Sequence, residues 1–231
     1  MTKRTQTGFT LVEIAIVLVI IGLLLGGILK GQEMITQAKI KNVMADFSGI
    51  SAAYHGYQDR YRAIPGDDPN AATRWTTTPA AVSGDGNGIV AGAYNATCPA
   101  VPAATDPESC KFWDHLRRAG FVAGNGGQQP FNALTGMIGV QTGDGATPPV
   151  ATLLDGGATG PGFVGLIMCS ANLPDKVAIA VDTQMDDGVA GKGTVRGLAQ
   201  TAPNPAIGAG QVATATYAET GSNVYTLCRA L

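Results

Sequence analysis

The distribution of apolar residues divides the chain into stretches with different patterns. Residues 9–29 are apolar around the whole circumference of a helix, except for Thr10, Glu13 and glycines. At 1.5 Å per residue this stretch spans about 31 Å, the thickness of the hydrocarbon core of a bilayer. A buried helix of a soluble domain rarely needs so long an apolar surface on all sides. The pattern therefore predicts a membrane-spanning helix over residues 9–29.

Beyond residue 29 the pattern changes to that of an amphipathic helix. Apolar and aromatic residues recur mostly three or four positions apart, on one helical face: Ile40, Val43, Met44, Phe47, Ile50, Tyr54, Tyr57 and Tyr61. The first proline of the chain, Pro65, is followed by Gly66 and Asp67, which favour a turn. We therefore expect one continuous stem helix over residues 9–62, with its amphipathic half at residues 30–62.

The remaining residues, 63–231, form a head domain rich in turns and in acidic residues. One further helix is predicted there, with Asp106 as its N-cap and Pro107 at its first position. Short segments rich in β-branched or aromatic residues predict four strands: 136–142, 162–170, 176–183 and 223–229. The predicted fold class is α+β, with a long N-terminal helix packed on a small antiparallel β-sheet.

Charge and motifs exclude several classes of protein. Residues 1–62 hold seven basic and four acidic side chains, a net charge of +3. Residues 63–231 hold eight basic and thirteen acidic side chains, a net charge of −5, so the whole chain carries −2. Nucleic-acid-binding domains are usually basic, so no nucleic-acid partner is expected. Neither a phosphate-binding loop nor the nucleophile motif of serine hydrolases occurs. We therefore expect no catalytic residues, and the protein is predicted not to be an enzyme.

Glu13 is the carboxylate within the predicted span. A charged side chain in the middle of a span costs on the order of 3 kcal/mol, and such residues are usually paired. No cationic side chain lies within two helical turns of Glu13 inside the span. Its partner must then come from another chain, or from a new amine produced by cleavage nearby.

The residues before the span carry a specific pattern: a short basic leader, Gly8, Phe9 and, four residues further, Glu13. This pattern resembles the cleavage and methylation signature of type IV prepilins and of the pseudopilins of type II secretion. The resemblance implies that a membrane peptidase removes residues 1–8 by cutting between Gly8 and Phe9. It also implies that Phe9 becomes N-methylated, that Glu13 serves processing and assembly, and that the α+β fold is pilin-like.

The resemblance implies a structural subunit of a type IV pilus, or fimbrium, polymerised through its stem helix and serving roles such as cell adhesion. Its expected partners are further copies of itself, minor pilins, prepilin peptidase, the inner-membrane assembly platform and, before assembly, membrane lipid. The precursor would cross the bacterial inner membrane once, with its head in the periplasm, and the pilus would be extracellular. The alternatives are a pseudopilin of a periplasmic type II secretion filament, and a membrane-tethered binding module or enzyme that does not polymerise.

The four cysteines favour an oxidising compartment and hence export of the head. Cys98, Cys110, Cys169 and Cys228 allow three connectivities, and the sequence does not choose between them. We favour Cys98–Cys110, which closes a short loop, and Cys169–Cys228, which joins a central strand to the C-terminal one. The second pairing also resembles pilins, in which a disulfide often secures the C-terminal region. Reduced, buried cysteines are the alternative.

Acidic turns raise one cofactor hypothesis, structural calcium, and no other cofactor is expected. Asp85 and Asn87 occupy the first two ligand positions of a calcium loop, but Ile89 fills the third and no glutamate closes the loop. A second group of carboxylates could meet the first in space: Asp182, Asp186 and Asp187. The resemblance supports calcium, since related pilins and pseudopilins use it in loops. Two polar turns that hold only water are the alternative.

Overall fold

The computed structural model of the chain describes residues 10–143, 162–208, 213–214 and 216–231. The chain forms two compact units, Met1–Ala38 and Lys39–Leu231. A single helix, α1 (Leu11–Tyr61), contributes its first part to the first unit and the rest to the second. The prediction of a long N-terminal helix is thereby confirmed.

In the first unit the apolar side chains of α1 are exposed. Leu11 is 91% exposed and Leu23 is 73% exposed. By length and composition this helix can cross a membrane. So large a contiguous apolar surface is unfavourable in water, so it requires lipid or other protein chains around it. The first unit is therefore suited to anchoring the chain in a membrane as a single pass.

In the second unit α1 buries the face that its spacing predicts. Most of the predicted residues are buried: Ile40, Val43, Phe47, Ile50, Tyr54 and Tyr57. The other two, Met44 and Tyr61, are partly buried against them. They share one hydrophobic core with residues of the sheet and of the other helices. Just beyond α1, Gly66 has a φ of +92°, and a Cβ there would lie 2.6 Å from the carbonyl oxygen of Glu108. Glycine is therefore required where the chain turns against the Glu108 carbonyl.

Shorter helices and one antiparallel sheet complete the described part of the second unit. The elements are α2 (Ala71–Arg74), α3 (Glu108–Arg118), β1 (Ile138–Thr142), β2 (Leu166–Pro174), α4 (Asp175–Met185), β3 (Val195–Ala199) and β4 (Val224–Ala230). The strand order is β1-β2-β4-β3, with every neighbouring pair antiparallel. The α+β prediction is confirmed.

The strand predictions are confirmed at three places and wrong at one. Three predicted segments overlap observed strands, with shifted ends: 136–142 overlaps β1, 162–170 overlaps β2 and 223–229 overlaps β4. The predicted strand at 176–183 instead lies in α4. Val177 and Val181 are four residues apart and face the core together, a helical spacing that the β-branched composition concealed. Strand β3 was not predicted, because a charged residue and a glycine follow its first valine.

The predicted N-cap of α3, Asp106, is wrong by one residue. The N-cap is Pro107, and Asp106 instead accepts a hydrogen bond from the Ala103 amide at 2.6 Å, closing the turn before the helix. The first helical residue, Glu108, accepts hydrogen bonds from the amides of Asp85 and Ala91 at 3.0 and 3.1 Å. Its carboxylate therefore holds the loop that precedes α3.

The structure contains two disulfides, Cys98–Cys110 and Cys169–Cys228. These are the two pairs that the sequence analysis favours. Cys169 and Cys228 are directly paired positions of β2 and β4, so this bond joins the two central strands of the sheet. Cys98–Cys110 joins a loop to the first turn of α3. Both bonds restrict the unfolded chain, and each contributes roughly 2–4 kcal/mol to stability.

Both edge strands of the sheet are covered by other segments. Along β1, the Ile138 amide donates to the Pro130 carbonyl at 2.9 Å, and the amides of Val90 and Tyr94 donate to the side chains of Thr142 and Gln141 at 2.9 and 3.0 Å. Along β3, Gly197 donates to the Ala190 carbonyl and accepts from the Thr214 amide, both at 2.8 Å. Covered edges do not offer a row of free backbone groups to another strand.

A buried polar cluster joins the end of α1 to the segments that follow it. Asp68 is fully buried and accepts hydrogen bonds from the Tyr57 hydroxyl at 2.7 Å and from the Arg74 guanidinium at 2.5 Å. The Arg74 guanidinium also lies 4.2 Å from the ring centre of Tyr61. Two residues of α1 are therefore tied to the turn before α2 through one carboxylate and one guanidinium.

His115 of α3 is buried beside this cluster and is held as the neutral imidazole. Its Nδ1 accepts from the Gly66 amide at 2.9 Å, so its Nε2 carries the proton and donates to the Val82 carbonyl at 2.8 Å. Burial lowers the pKa of His115 below its ordinary value, against the opposing effects of the Val82 carbonyl and nearby carboxylates. Protonation would place two N–H groups, those of Nδ1 and Gly66, against each other.

We expect the free energy of unfolding to decrease as the pH is lowered, because of His115. The unfolded chain binds a proton at this residue below about pH 6.5 and the native chain does not, so the contribution is complete above that pH and is lost progressively below it. The urea midpoint should therefore decrease between about pH 7 and pH 5, and His115→Gln should flatten this decrease. His55 is exposed on α1, so His55→Gln is the matched control and should leave the decrease unchanged. An unchanged decrease in His115→Gln would contradict the assignment.

Candidate functional site

Glu13 lies in the first turn of α1, while Gly8 and Phe9 lie outside the described residues. Its Oε2 accepts hydrogen bonds from both the amide and the hydroxyl of Thr10, each at 2.8 Å. The Glu13 amide is in turn 3.3 Å from the Thr10 hydroxyl oxygen. This is a capping box, in which threonine and glutamate three residues apart satisfy amides at a helix start. The three-residue spacing of Thr10 and Glu13 is visible in the sequence, and it gives Glu13 a neutral partner where only a charged one was expected.

The capping box leaves Glu13 available for a second interaction. Both bonds from Thr10 end on Oε2, and among the described residues none ends on Oε1. The side chains around it in the first unit are apolar and exposed. Once lipid or other chains cover them, a cation that approached Oε1 would be attracted more strongly than in water. Within the described chain, the glutamate thus starts the helix and presents a free carboxylate oxygen.

The first group of carboxylates near one another comprises Asp67, Asp85 and Glu108. The two Asp67 oxygens accept three backbone amides, those of residues 86, 87 and 88, at 2.7–3.1 Å. Both Glu108 oxygens accept amides, and both Asp85 oxygens accept N–H groups of Asn87. Every carboxylate oxygen of this group therefore has a hydrogen-bond donor. The group is arranged to hold a loop.

The second group comprises Asp182, Asp186 and Asp187, at the end of α4. Asp182 is fully buried; its oxygens accept the Tyr217 hydroxyl at 2.5 Å and the Gly188 amide at 3.2 Å. Burial raises the pKa of Asp182 above its ordinary value, and the neighbouring acidic residues add to that rise. Asp186 and Asp187 each use one oxygen on backbone amides, and their other oxygens have no hydrogen bond among the described residues.

The two acidic turns do not form the combined site considered from the sequence. Asp85 and Asn87 belong to a loop held by Asp67 and Glu108, and the group at the end of α4 is separate from it. Asp67 and Glu108 were missed as members because they lie 18 and 23 residues from Asp85 (85 − 67; 108 − 85) and no motif connects them. The second group, unlike the first, leaves carboxylate oxygens without a hydrogen bond among the described residues.

The comparisons with known proteins recognise the N-terminus. Residues 3–29 match a family described as "Prokaryotic N-terminal methylation motif". The chain therefore carries the prepilin-type cleavage and methylation motif, which contains Gly8, Phe9 and Glu13. No curated protein and no solved structure matches the chain.

Proposed function

We propose that this protein is a structural subunit of a type IV pilus-like filament, cleaved and N-methylated by prepilin peptidase and polymerised through the first part of α1. One observation carries the proposal: the motif at residues 3–29 includes the start of a helix whose apolar side chains are exposed, and Glu13 is the one carboxylate among residues 9–29. A membrane anchor alone has no need of that charge, because glutamine completes a capping box as well as glutamate, and a charge in the span costs on the order of 3 kcal/mol.

Cleavage supplies the missing partner of Glu13. Removal of residues 1–8 creates an amine at Phe9, which methylation leaves cationic. In a filament, Glu13 of one subunit neutralises the Phe9 amine of its neighbour, with the apolar side chains of several stem helices packed around the pair. Both charges are removed from water there, so a carboxylate or amine without its partner is costly. Subunits that pack in the wrong register leave such unpaired charges and are therefore disfavoured. Chains then leave the bilayer one at a time by exchanging lipid for protein contacts.

The head supports assembly through the helix. Both edges of its sheet are covered, so strand addition between heads is disfavoured. Its two disulfides are typical of an oxidising compartment and support a periplasmic head in the precursor. The further partners of the proposal are the inner-membrane assembly platform and minor pilins. No catalytic role is proposed for the chain.

Processing provides the direct test of the proposal. Mass spectrometry of the chain from cells that contain prepilin peptidase should show an N-terminus at methylated Phe9, and cells without the peptidase should yield the uncut chain. Gly8→Val should block the cut, because a branched side chain replaces hydrogen at the cleaved bond. Val12→Ile, inside the same motif, is the control and should be processed normally. An uncut, unmethylated chain in the presence of the peptidase would refute the proposal.

The kind of filament is decided by imaging. We propose an extracellular pilus, and the alternative is the periplasmic filament of type II secretion. Electron microscopy of cells with and without the gene should show long surface fibres that disappear on deletion. Loss of an exported protein from the medium, with surface fibres unchanged, would instead identify the secretion role.

We also propose calcium as a structural ion at the second acidic group. The unused oxygens of Asp186 and Asp187 lie beside Asp182 at the end of α4, and carboxylate oxygens are the ligands that calcium prefers. Calcium, unlike equal magnesium, should raise the melting temperature of the chain, and Asp187→Asn should remove the increase. Asp85→Asn, in the first group, is the matched control and should keep it. An unchanged melting temperature in calcium would refute this site.

A further inference from the structure

A crevice of about 410 Å³ lies on the head between three segments of chain. One wall is formed by residues 77–79, another by residues 100–101 of the loop closed by Cys98–Cys110, and the third by the end of α3 with residues 125–126. Its volume is within the range of small-ligand sites. The function proposed above does not use this crevice.

The crevice is lined by positive charge on a head that is acidic overall. Arg117 and Arg118 contribute two guanidinium groups, and Asp114 contributes one carboxylate. Asp114 is already paired with Arg118, Oδ2 to Nε, at 2.7 Å. The lining therefore carries a net charge of +1, whereas residues 63–231 together carry −5. An anion is the ligand that this local charge favours.

Arg117 is held in place and keeps free donors. Its Nε and Nη1 donate to the carbonyls of Ala123, Gly126 and Gln128, at 3.3, 2.7 and 2.6 Å. Among the described residues, no hydrogen bond uses its Nη2. A guanidinium fixed on one edge presents its remaining N–H groups in a defined direction, and this geometry suits a carboxylate. Its attachment to backbone carbonyls therefore orients Arg117 without using all of its donors.

The other walls offer neutral polar groups and apolar surface. The hydroxyls of Thr77 and Thr78 and the amide of Asn125 line the crevice and make no hydrogen bond to another described residue. Pro79 and Val101 provide apolar walls. This mixture of a charged end, hydroxyl-binding groups and apolar faces matches a hydroxylated ring that carries an acid.

The crevice is rigid at its base. Gly126 has a φ of +74°, and a Cβ there would lie 1.7 Å from the carbonyl oxygen of Ala100. The adjacent amide of Gly127 donates to the same carbonyl at 3.2 Å. The loop closed by the disulfide and the segment after α3 are thus in close contact, so little ordering is needed when a ligand enters.

We propose that this crevice binds a uronic-acid unit, either free or within an acidic polysaccharide. The carboxylate lies against the unused Nη2 of Arg117, because Arg118 already binds the Asp114 carboxylate and, through Nη2, the Pro79 carbonyl at 2.8 Å. The ring hydroxyls meet Thr77 and Thr78, and the apolar face of the ring packs on the Pro79 ring. A simple inorganic anion uses only the guanidinium groups and leaves the hydroxyls and most of the volume unused. This site is independent of filament assembly, because every group in it belongs to one head.

The test uses the full chain in nonionic detergent micelles, where it is unassembled, and ligand-observed NMR titrations. D-Glucuronate is the probe, and D-glucose and inorganic phosphate are the comparison ligands. We expect D-glucuronate to bind with at least tenfold higher affinity than either, because only it combines a carboxylate with ring hydroxyls. Equal affinity for D-glucose, tighter binding of phosphate, or no binding of D-glucuronate would overturn the proposal.

Variants at Asn125 place the binding in the crevice without disturbing the fold. Asn125 is exposed, so Asn125→Asp adds a negative charge at the site and should weaken D-glucuronate binding about tenfold, whereas Asn125→Lys should maintain or strengthen it. Asn42→Asp, at an exposed position of α1, makes the same charge change far along the chain and should have no effect. Equal affinities of the two Asn125 variants would refute the location of the site. Filament assembly is not measured, so failure here leaves the proposed function untouched.

Discussion

Glu13→Gln should abolish filament assembly while membrane insertion and helix formation continue. Glutamine serves as well as glutamate in a capping box, so the helix start at Thr10 is preserved and only the charge is lost. Without that charge the cationic amine of a neighbouring Phe9 is buried unpaired, which costs about 3–5 kcal/mol per subunit, or a factor of more than 100 in the association constant. Electron microscopy and quantification of sheared filaments measure the loss.

The matched control removes the threonine side chain from the cap and keeps the charge. Thr10→Ala eliminates both hydrogen bonds of the Thr10 hydroxyl, to Oε2 and from the Glu13 amide, and leaves the backbone bond from the residue 10 amide to Oε2. It costs about 1 kcal/mol of helix stability and should still assemble. Glu13→Ala removes both cap and charge, so it should fail to assemble as Glu13→Gln does. Normal filaments from Glu13→Gln would show that the charge is dispensable. Loss of filaments from Thr10→Ala alone would show that Glu13 acts through the helix start instead.

The first part of the fold could be predicted from sequence because its determinants are local. An unbroken apolar run and a face repeated every three or four residues predict α1 directly, and Pro65 marks its end. The motif around Glu13 is equally local, since its residues are contiguous along the chain. Helix α4 was mistaken for a strand because Val177, Ile179 and Val181 alternate, and the choice between helix and strand depended on the sheet and core that they meet.

The polar interior of the head could be predicted far less well, because its partners are distant in sequence. Asp67 binds amides about 20 residues later, and Asp182 meets Tyr217 across 35 residues. Buried carboxylates need donors, but the sequence does not show which segments supply them. For the same reason the sequence brings together two acidic turns whose carboxylates lie in separate groups.

Asp68→Ala should strongly destabilise the head. It leaves the Tyr57 hydroxyl without its acceptor and the Arg74 guanidinium without its counter-ion, close to a fully buried position. Removing one member of a buried charged pair costs 3–5 kcal/mol, and because Arg74 is one-quarter exposed we expect about 3 kcal/mol. Trp75 lies 6.3 Å from the Tyr57 ring, so its fluorescence reports urea unfolding of this region in detergent-solubilised chain.

The pH dependence separates the charge of Asp68 from its shape. Burial raises the pKa of Asp68, but the hydrogen bonds from Arg74 and Tyr57 outweigh it and lower the pKa below its ordinary value. Its stabilising effect is therefore present above about pH 4 and is lost as pH falls further, so the wild-type advantage over Asp68→Asn should disappear there.

Asp59→Ala is the control for Asp68→Ala: it removes an exposed pair with Arg62 and should cost less than about 1 kcal/mol. An equally small cost for Asp68→Ala would mean that the end of α1 is held by apolar packing alone.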